Sequence, residues 1–426
     1  MRSRTAYSAS VWDHDNRAVL RYWFALFCAL VLLRFLLNAN LLDKIVNYSA
    51  DGGSIVTKIH PSTYGIFAVL IATLLSARIE LGEWELRAIR SLMTFVAVMA
   101  AIVMFAVLLG HSGSIGYLVD AYLAACASAA LMLFFPPVWR ERLGSMLLVF
   151  IAVSATLGIV EFVLRRRFLP YPYEELSFRP TGLTEHPLVL GLFSAVGISF
   201  VAASRWRGSA KTAAIAIMLL GTFAAGARLA SIVAAGSAIA AIVLHEWPSG
   251  SAETRFRVKA FMLCTVALAV PVALIALPAL GLFTRFQNGL IDESALARVN
   301  IYGLFDLVSW NEILFGADIG NIRRLALFHF NLEYIESSFV MFIFQFGLFG
   351  AIIFLSFLVR TFWVLLSGAG RHVIIGSVAF FIIAFGNNSL STKTPNVLMI
   401  TLLITAFHSA HERSRDTPNP RFYVGA

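Results

Sequence analysis

Charge is scarce in this chain: Asp, Glu, Lys and Arg make up 13% of it while hydrophobic residues make up 59%. That balance excludes a disordered scaffold and an ordinary soluble enzyme. Cysteine is nearly absent, with three residues in 426. Cys28, Cys126 and Cys264 each lie inside an apolar run. A disulfide-stapled secreted domain is therefore excluded, and the thiols read as packing groups. No Walker-type or dinucleotide glycine pattern follows a recognisable strand, and no Cys/His cluster has zinc-ligand spacing, so neither a metal nor a cofactor is expected. Internal repeats and low-complexity tracts are also missing, and the polar, proline-containing tail from His411 onward reads as loose.

What is present is hydrophobicity in long runs, with a mean hydropathy of +0.80. A helix needs roughly 20 mostly apolar residues to cross about 30 Å of hydrocarbon. Runs of that kind fall at 19–38, 62–77, 91–110, 116–135, 144–164, 187–204, 210–225, 229–245, 259–281, 337–358, 372–386 and 395–409, the second, seventh and eleventh being the weakest. The expectation is an all-α polytopic membrane protein, residues 1–426 forming one integral membrane domain of about 12 transmembrane helices. The first run lacks a small-residue cleavage site and reads as an uncleaved span.

The net charge of +9 points to nucleic acid only if the basic groups cluster, and they do not. With the N-terminus in the cytoplasm, the inner segments collect 20 of the 33 basic residues, from Arg2 and Arg4 to Arg413, Arg415 and Arg421. Arg34 stands within the first run, and most of the remainder lie on long outer segments, which weigh least in the positive-inside rule. Both termini are expected in the cytoplasm, with the basic excess facing anionic lipid rather than nucleic acid.

Two outer connections are long, 165–186 and 282–336. Long loops in a compact protein are functional or disordered. The second carries aromatic residues and apolar positions at Leu296, Val299, Ile301, Leu304 and Leu307, which suggests an outer subdomain of short helices.

Charges near membrane depth are costly and usually face a cavity. Arg179 sits in Arg179-Pro180-Thr181-Gly182-Leu183-Thr184-Glu185-His186-Pro187, where the prolines and the glycine force a non-helical path. It reads either as an interfacial arginine or as a cavity group. Arg228 stands between two apolar runs with almost no polar linker, so it snorkels from a tight turn or points into a polar cavity. Glu336 opens a long helix, where the dipole alone favours a carboxylate; Gly347 and Gly350 behind it permit close helix approach. Asp120 and Glu161 read as paired, protonated or interfacial, and Arg165, Arg166 and Arg167 as a phosphate-facing edge. Lys393, Asn387 and Asn388 fall in a short outer turn. His186, Arg323, Arg324, His329, Asn331, Glu333 and Ser337 are the candidate substrate contacts.

At three places the chain resembles the O-antigen ligase and Wzy-type polymerase superfamily of bacterial polysaccharide assembly. The Arg179-to-Gly191 segment is similar to its arginine-glycine-(His/Asn)-Pro stretch, and Arg228 matches its arginine at an outer helix end. Glu336-Ser337, nine residues, then Gly347 and Gly350 match its polar pair followed by Gly-x-x-Gly. The ligases place histidine where this chain has Glu336, which leans the resemblance toward a polymerase. It implies glycosyl transfer at the periplasmic face of the bacterial inner membrane, from an undecaprenyl-diphosphate-linked glycan to a sugar hydroxyl. Arg179 and Arg228 would hold the diphosphate and Glu336 would accept the proton, with no metal. Implied partners are the lipid-linked glycan, membrane lipids, a chain-length regulator and other polysaccharide-assembly proteins. The alternatives are a ligase acting on lipid A core and a non-enzymatic flippase or transporter of lipid-linked sugar.

Overall fold

The computed structural model describes residues 2–49, 54–110, 116–173, 178–244, 253–254, 256–257, 259–260, 299–332, 334–408 and 422–424. Pro61, Pro137 and Pro187 each take a first-turn position, where the missing N–H costs nothing and the fixed φ suits a helix. The helices they open belong to a series: α1 Arg2–Leu36, α2 Pro61–Ser76, α3 Glu83–Leu108, α4 Gly116–Phe134, α5 Pro137–Leu164, α6 Pro187–Ala203, α7 Gly208–Ala224 and α8 Arg228–Leu244. Two short helices follow, α9 Trp310–Phe315 and α10 Ile319–Phe330, and then α11 Ser338–Leu366, α12 Arg371–Phe385 and α13 Asn396–Phe407. Five of the described helices are long and apolar enough to cross a membrane.

Eleven of the expected runs coincide with a described helix, including the three weakest, which are α2, α7 and α12. The run at 259–281 falls almost wholly outside the described residues, as do Cys264, Leu296 and the stretch 282–298. The helices expected from 91 and 144 begin earlier, at Glu83 and Pro137. Their first two turns carry Glu83 and Glu85, or Arg140, Glu141 and Arg142, which hydropathy discounts but helix geometry accepts.

Helices that are apolar all round belong in the centre. Every residue of α13 is buried, and α6 is buried from Val189 to Ala202 while packing on α5, α7, α8, α12 and α13. The periphery inverts the usual order, leaving Leu75 83%, Trp363 77% and Met93 65% exposed. A soluble protein does not tolerate that much outward apolar surface, and this is an all-α membrane protein. At one end Asn16 and Trp23 of α1 hydrogen-bond to the Arg78 carbonyl and the Ser76 hydroxyl. Strand β1, Ile79–Leu81, pairs there antiparallel with β2, Phe422–Val424, so both terminal regions lie at that end.

Helix α11 is broken. Gly347 has φ 73° and ψ 164°, and a Cβ there would lie 2.2 Å from the Leu314 carbonyl oxygen. The Ala317 N–H just past α9 donates to the Phe344 carbonyl at 2.6 Å, satisfying an acceptor beside the break. The Phe342 and Phe354 rings lie 5.1 Å apart, whereas residues twelve apart on a straight helix are separated by about 18 Å along its axis. Ser338–Phe346 therefore folds back over the remainder. Of the two glycines expected to serve helix approach, Gly347 instead makes this turn, because only a residue without Cβ fits both its φ and its neighbour. The folded-back limb contributes Val340, Met341 and Phe344 to a second apolar cluster with Ile301, Leu304, Ile319, Ile322 and Ala326. Val299 and Leu307, from the same expected series, are exposed.

Gly347→Ala is expected to destabilise the detergent-solubilised protein by about 1–3 kcal/mol or more. Gly208→Ala, whose added Cβ would meet nothing within 4 Å, should leave the thermal midpoint unchanged. Equal midpoints for the two variants would contradict the assigned turn.

Candidate functional site

Polar connections gather where α2, α6, α8, α11 and α13 begin. Asn38 donates to the Leu183 carbonyl at 3.4 Å and Asn40 to that of Glu185 at 2.8 Å. The Tyr122 hydroxyl donates to Leu390 O at 2.6 Å, and Lys393 Nζ donates to the carbonyls of Tyr48 and Lys58 at 2.9 and 3.0 Å. This end thus collects helix N-termini, whose N–H groups and dipoles favour negative charge.

The segment bearing Arg179 is laid down by a buried carboxylate. Glu161, in the last turn of α5, accepts N–H bonds from Phe168, Thr181 and Gly182, each at 2.8 Å. Ser154 Oγ accepts from the Leu183 N–H at 3.0 Å. Gly182, at φ +55°, passes so close that a Cβ would lie 2.3 Å from the Ser154 carbonyl oxygen. Held on this path, Arg179 is buried, and its Nε donates to the Ala225 carbonyl at 3.0 Å. Ala225 belongs to the turn that leads into α8, whose first residue is the half-buried Arg228. Arg179 is thus anchored to the turn from which Arg228 starts α8.

Arg167, from the run expected at a phosphate-facing edge, is half-buried. Its Nε donates to the Arg179 carbonyl at 2.9 Å, and its guanidinium lies over the rings of Tyr171 at 4.0 Å and Phe178 at 5.1 Å. His186 caps α6, its Nδ1 accepting from the Leu188 N–H at 3.1 Å, which leaves the proton on Nε2 in the neutral ring. Burial, then Arg179 and Arg167, push its pKa down to about 3.

Glu336 precedes Ser337, which caps α11 by accepting from the Val340 N–H at 3.4 Å. Ser338 Oγ donates to the Asn387 carbonyl at 3.0 Å and accepts from the Leu390 N–H at 3.2 Å. Next to Asn387, Gly386 packs on Leu229, the neighbour of Arg228. Two residues before Glu336, the Tyr334 ring stands 5.7 Å from that of Tyr173, which in turn is 6.1 Å from His186. The start of α11 is therefore tied to both arginine-bearing segments.

Other predicted contacts sit elsewhere. Arg323, Arg324 and His329 occupy the exposed face of α10, opposite the buried Ile319, Ile322 and Ala326. Asn331, at φ 54°, closes that helix by donating its N–H to Ala326 O and Leu327 O. Glu333 lies outside the described residues. Asp120 is buried in a π-helical turn over Val119–Leu123 and accepts from the Tyr48 hydroxyl at 2.8 Å, the Thr63 hydroxyl at 2.7 Å and the His60 N–H at 3.0 Å. Like Glu161, it fastens chain segments together. Among the described residues no group of three or more His, Cys, Asp or Glu is placed to hold a metal.

Sequence reasoning passed over Arg34, Glu185, Tyr173 and Tyr334. Arg34, buried at the end of α1, donates to the Lys393 carbonyl. With Asn38, Thr184, Glu185 and Pro395 it lines a cavity of about 10 Å³, the size of one water. Burial raises the Glu185 pKa, opposed by Arg34 and the Ala39 N–H. A charge inside an apolar run was the available signal for Arg34; the tyrosines carried none.

No protein-family model matches the chain, and no curated protein matches it either.

His186 is expected to stay neutral until the pH falls to about 3, against an ordinary value of 6.5. Because its folded pKa is depressed, its contribution to stability is complete above about pH 6.5 and is lost as the pH falls toward 3. NMR of ¹⁵N-histidine-labelled protein, with His186→Gln to assign the signal, measures this directly. A midpoint near 6.5 would contradict the described burial.

Proposed function

We propose that this protein is a membrane glycosyltransferase, a polymerase that moves an undecaprenyl-diphosphate-linked glycan onto the sugar of another lipid-linked repeat unit. The observation that carries the reading is the Arg179 hydrogen bond to Ala225, in the turn that opens α8 with Arg228, with the Glu336 end of α11 tied to the same place through Gly386 and Asn387. The leaving group is a lipid diphosphate, and planar guanidinium donors match its oxygens. The N-termini of α6, α8 and α11 add positive potential at the same end. Neutral His186 is able to donate through Nε2 without competing for the proton that the reaction releases.

The chemistry is a single displacement. The acceptor hydroxyl oxygen bonds to the anomeric carbon as the bond from that carbon to the diphosphate oxygen breaks. The diphosphate leaves with the electron pair, held by Arg179 and Arg228, and the hydroxyl proton passes to Glu336. Attack opposite the leaving group inverts the anomeric centre. In this reading the site end faces the periplasm, both termini lie in the cytoplasm, about 12 helices span the bacterial inner membrane, and the segment 282–336 covers the site. A chain-length regulator and other polysaccharide-assembly proteins are the expected partners. Transfer to lipid A core is the ligase version of the same chemistry, and a two-acceptor assay separates it.

One observation favours a second reading. A discontinuous helix such as α11 is also a feature of transporters, and a flippase for lipid-linked sugar would use the same arginines for binding. It would leave glycan length unchanged.

The test is incubation of purified protein with a defined lipid-diphosphate repeat unit, where a polymerase makes a ladder. Arg228→Ala and Glu336→Ala are each expected to lower chain growth by about 10²-fold or more, with normal accumulation in the membrane. Normal polymer from both variants would overturn the assignment.

A further inference from the structure

Beside the arginines lies a group of aromatic rings that the transfer chemistry leaves unused. Tyr173, from the connection between α5 and α6, meets Tyr334, from the approach to α11, edge to face, with ring centroids 5.7 Å apart and planes at 86°. Tyr173 contacts Tyr171 at 5.2 Å and His186 at 6.1 Å, so the corner is braced from behind. Yet Tyr173 remains 39% exposed and Tyr334 55%. Buried aromatic pairs need no ligand to explain them, but this one opens outward, two residues before Glu336 and beside the cap of α6.

The chemistry of the corner narrows what it takes. Each ring offers an apolar face and a phenolic hydroxyl at its edge. A hydrocarbon tail has no use for the hydroxyls, whose desolvation it would leave uncompensated. A cationic ligand, which aromatic faces otherwise attract, is opposed here: Arg167 already lies over Tyr171 at 4.0 Å, and Arg179 and Arg167 both act on His186. A sugar ring fits, because it presents a patch of C–H bonds on one face and hydroxyl groups around its rim. A carboxylate on that sugar would be favoured by the nearby guanidinium groups.

We propose that Tyr173 and Tyr334 form a sugar-binding subsite in which a neutral or acidic pyranose stacks on the exposed tyrosine faces. This deepens the glycosyl-transfer reading and rests on it for the role of the bound sugar, which would be the acceptor presented to Glu336. The subsite is built from both connections that flank the site, so sugar occupancy also holds the α5–α6 segment against the start of α11.

The test is saturation-transfer NMR on the full-length protein in phospholipid nanodiscs. The probes are soluble oligosaccharides of neutral hexoses, N-acetylhexosamines and uronic acids. The wild-type protein is expected to saturate the ring C–H protons of at least one of them. Tyr173→Ala and Tyr334→Ala should weaken that binding about tenfold, a single aromatic contact's worth. Tyr334→Phe, which keeps the ring, should stay within about threefold. Trp363→Ala, on a remote exposed flank of α11, should bind as wild type does. Absence of binding by the wild type overturns the subsite, as does wild-type affinity in both alanine variants or a loss in Tyr334→Phe equal to that in Tyr334→Ala. The two readings fail separately. Wild-type protein that binds sugar through these tyrosines but never extends a lipid-linked repeat unit removes the transfer reading alone; a polymer ladder with unaltered sugar binding in the alanine variants removes the subsite alone.

Discussion

Glu161 is a carboxylate buried at the end of a membrane helix, and the candidate site depends on what it does there. Backbone N–H groups that enter an apolar region without partners cost several kcal/mol each. The segment after α5 has to bring its backbone in beside α5 without helix or sheet. It does so because Glu161 accepts from Phe168, Thr181 and Gly182 at once, and because Gly182 has no side chain to strike Ser154. From that fixed path Arg179 reaches Ala225 and His186 caps α6. A charge that alone would be a penalty has become the anchor of a non-helical segment.

The break at Gly347 completes the arrangement from the other side. By folding Ser338–Phe346 back onto Phe354, it brings the start of α11 to the turn after α12, where Ser338 meets Asn387. The same limb carries the apolar cluster of α10 and the 3₁₀ turn Ile301–Leu307. The short helices and the limb that Glu336 precedes thus share one apolar cluster. In the proposed polymerase, that cluster links the cover over the site to the group that accepts the proton.

Much of the architecture was legible in the sequence because hydropathy and span length are properties of consecutive residues. Even the weak runs at α2, α7 and α12 are helices. Arg179, Arg228 and Glu336 stood out because a charge next to an apolar run needs an explanation. What stayed hidden depends on contacts between distant segments. Nothing local says that Gly347 turns a helix back rather than packing against another, since the evidence for it is the Leu314 carbonyl. Nor does anything near Tyr173 announce Tyr334. Arg323, Arg324 and His329 looked like site residues because they are polar and close to Glu336 in sequence, but the amphipathic period of α10 turns them to its exposed face. Glu161 is ambiguous in the sequence because its three partners are backbone N–H groups, which every residue but proline possesses.

The most direct measurement is an experimental structure of the protein in nanodiscs with undecaprenyl diphosphate. The proposal predicts the diphosphate between Arg179 and Arg228, within hydrogen-bonding reach of both guanidinium groups, with Glu336 facing the space where a sugar hydroxyl would approach. A diphosphate bound elsewhere, or either arginine turned to lipid while the ligand is present, would contradict it.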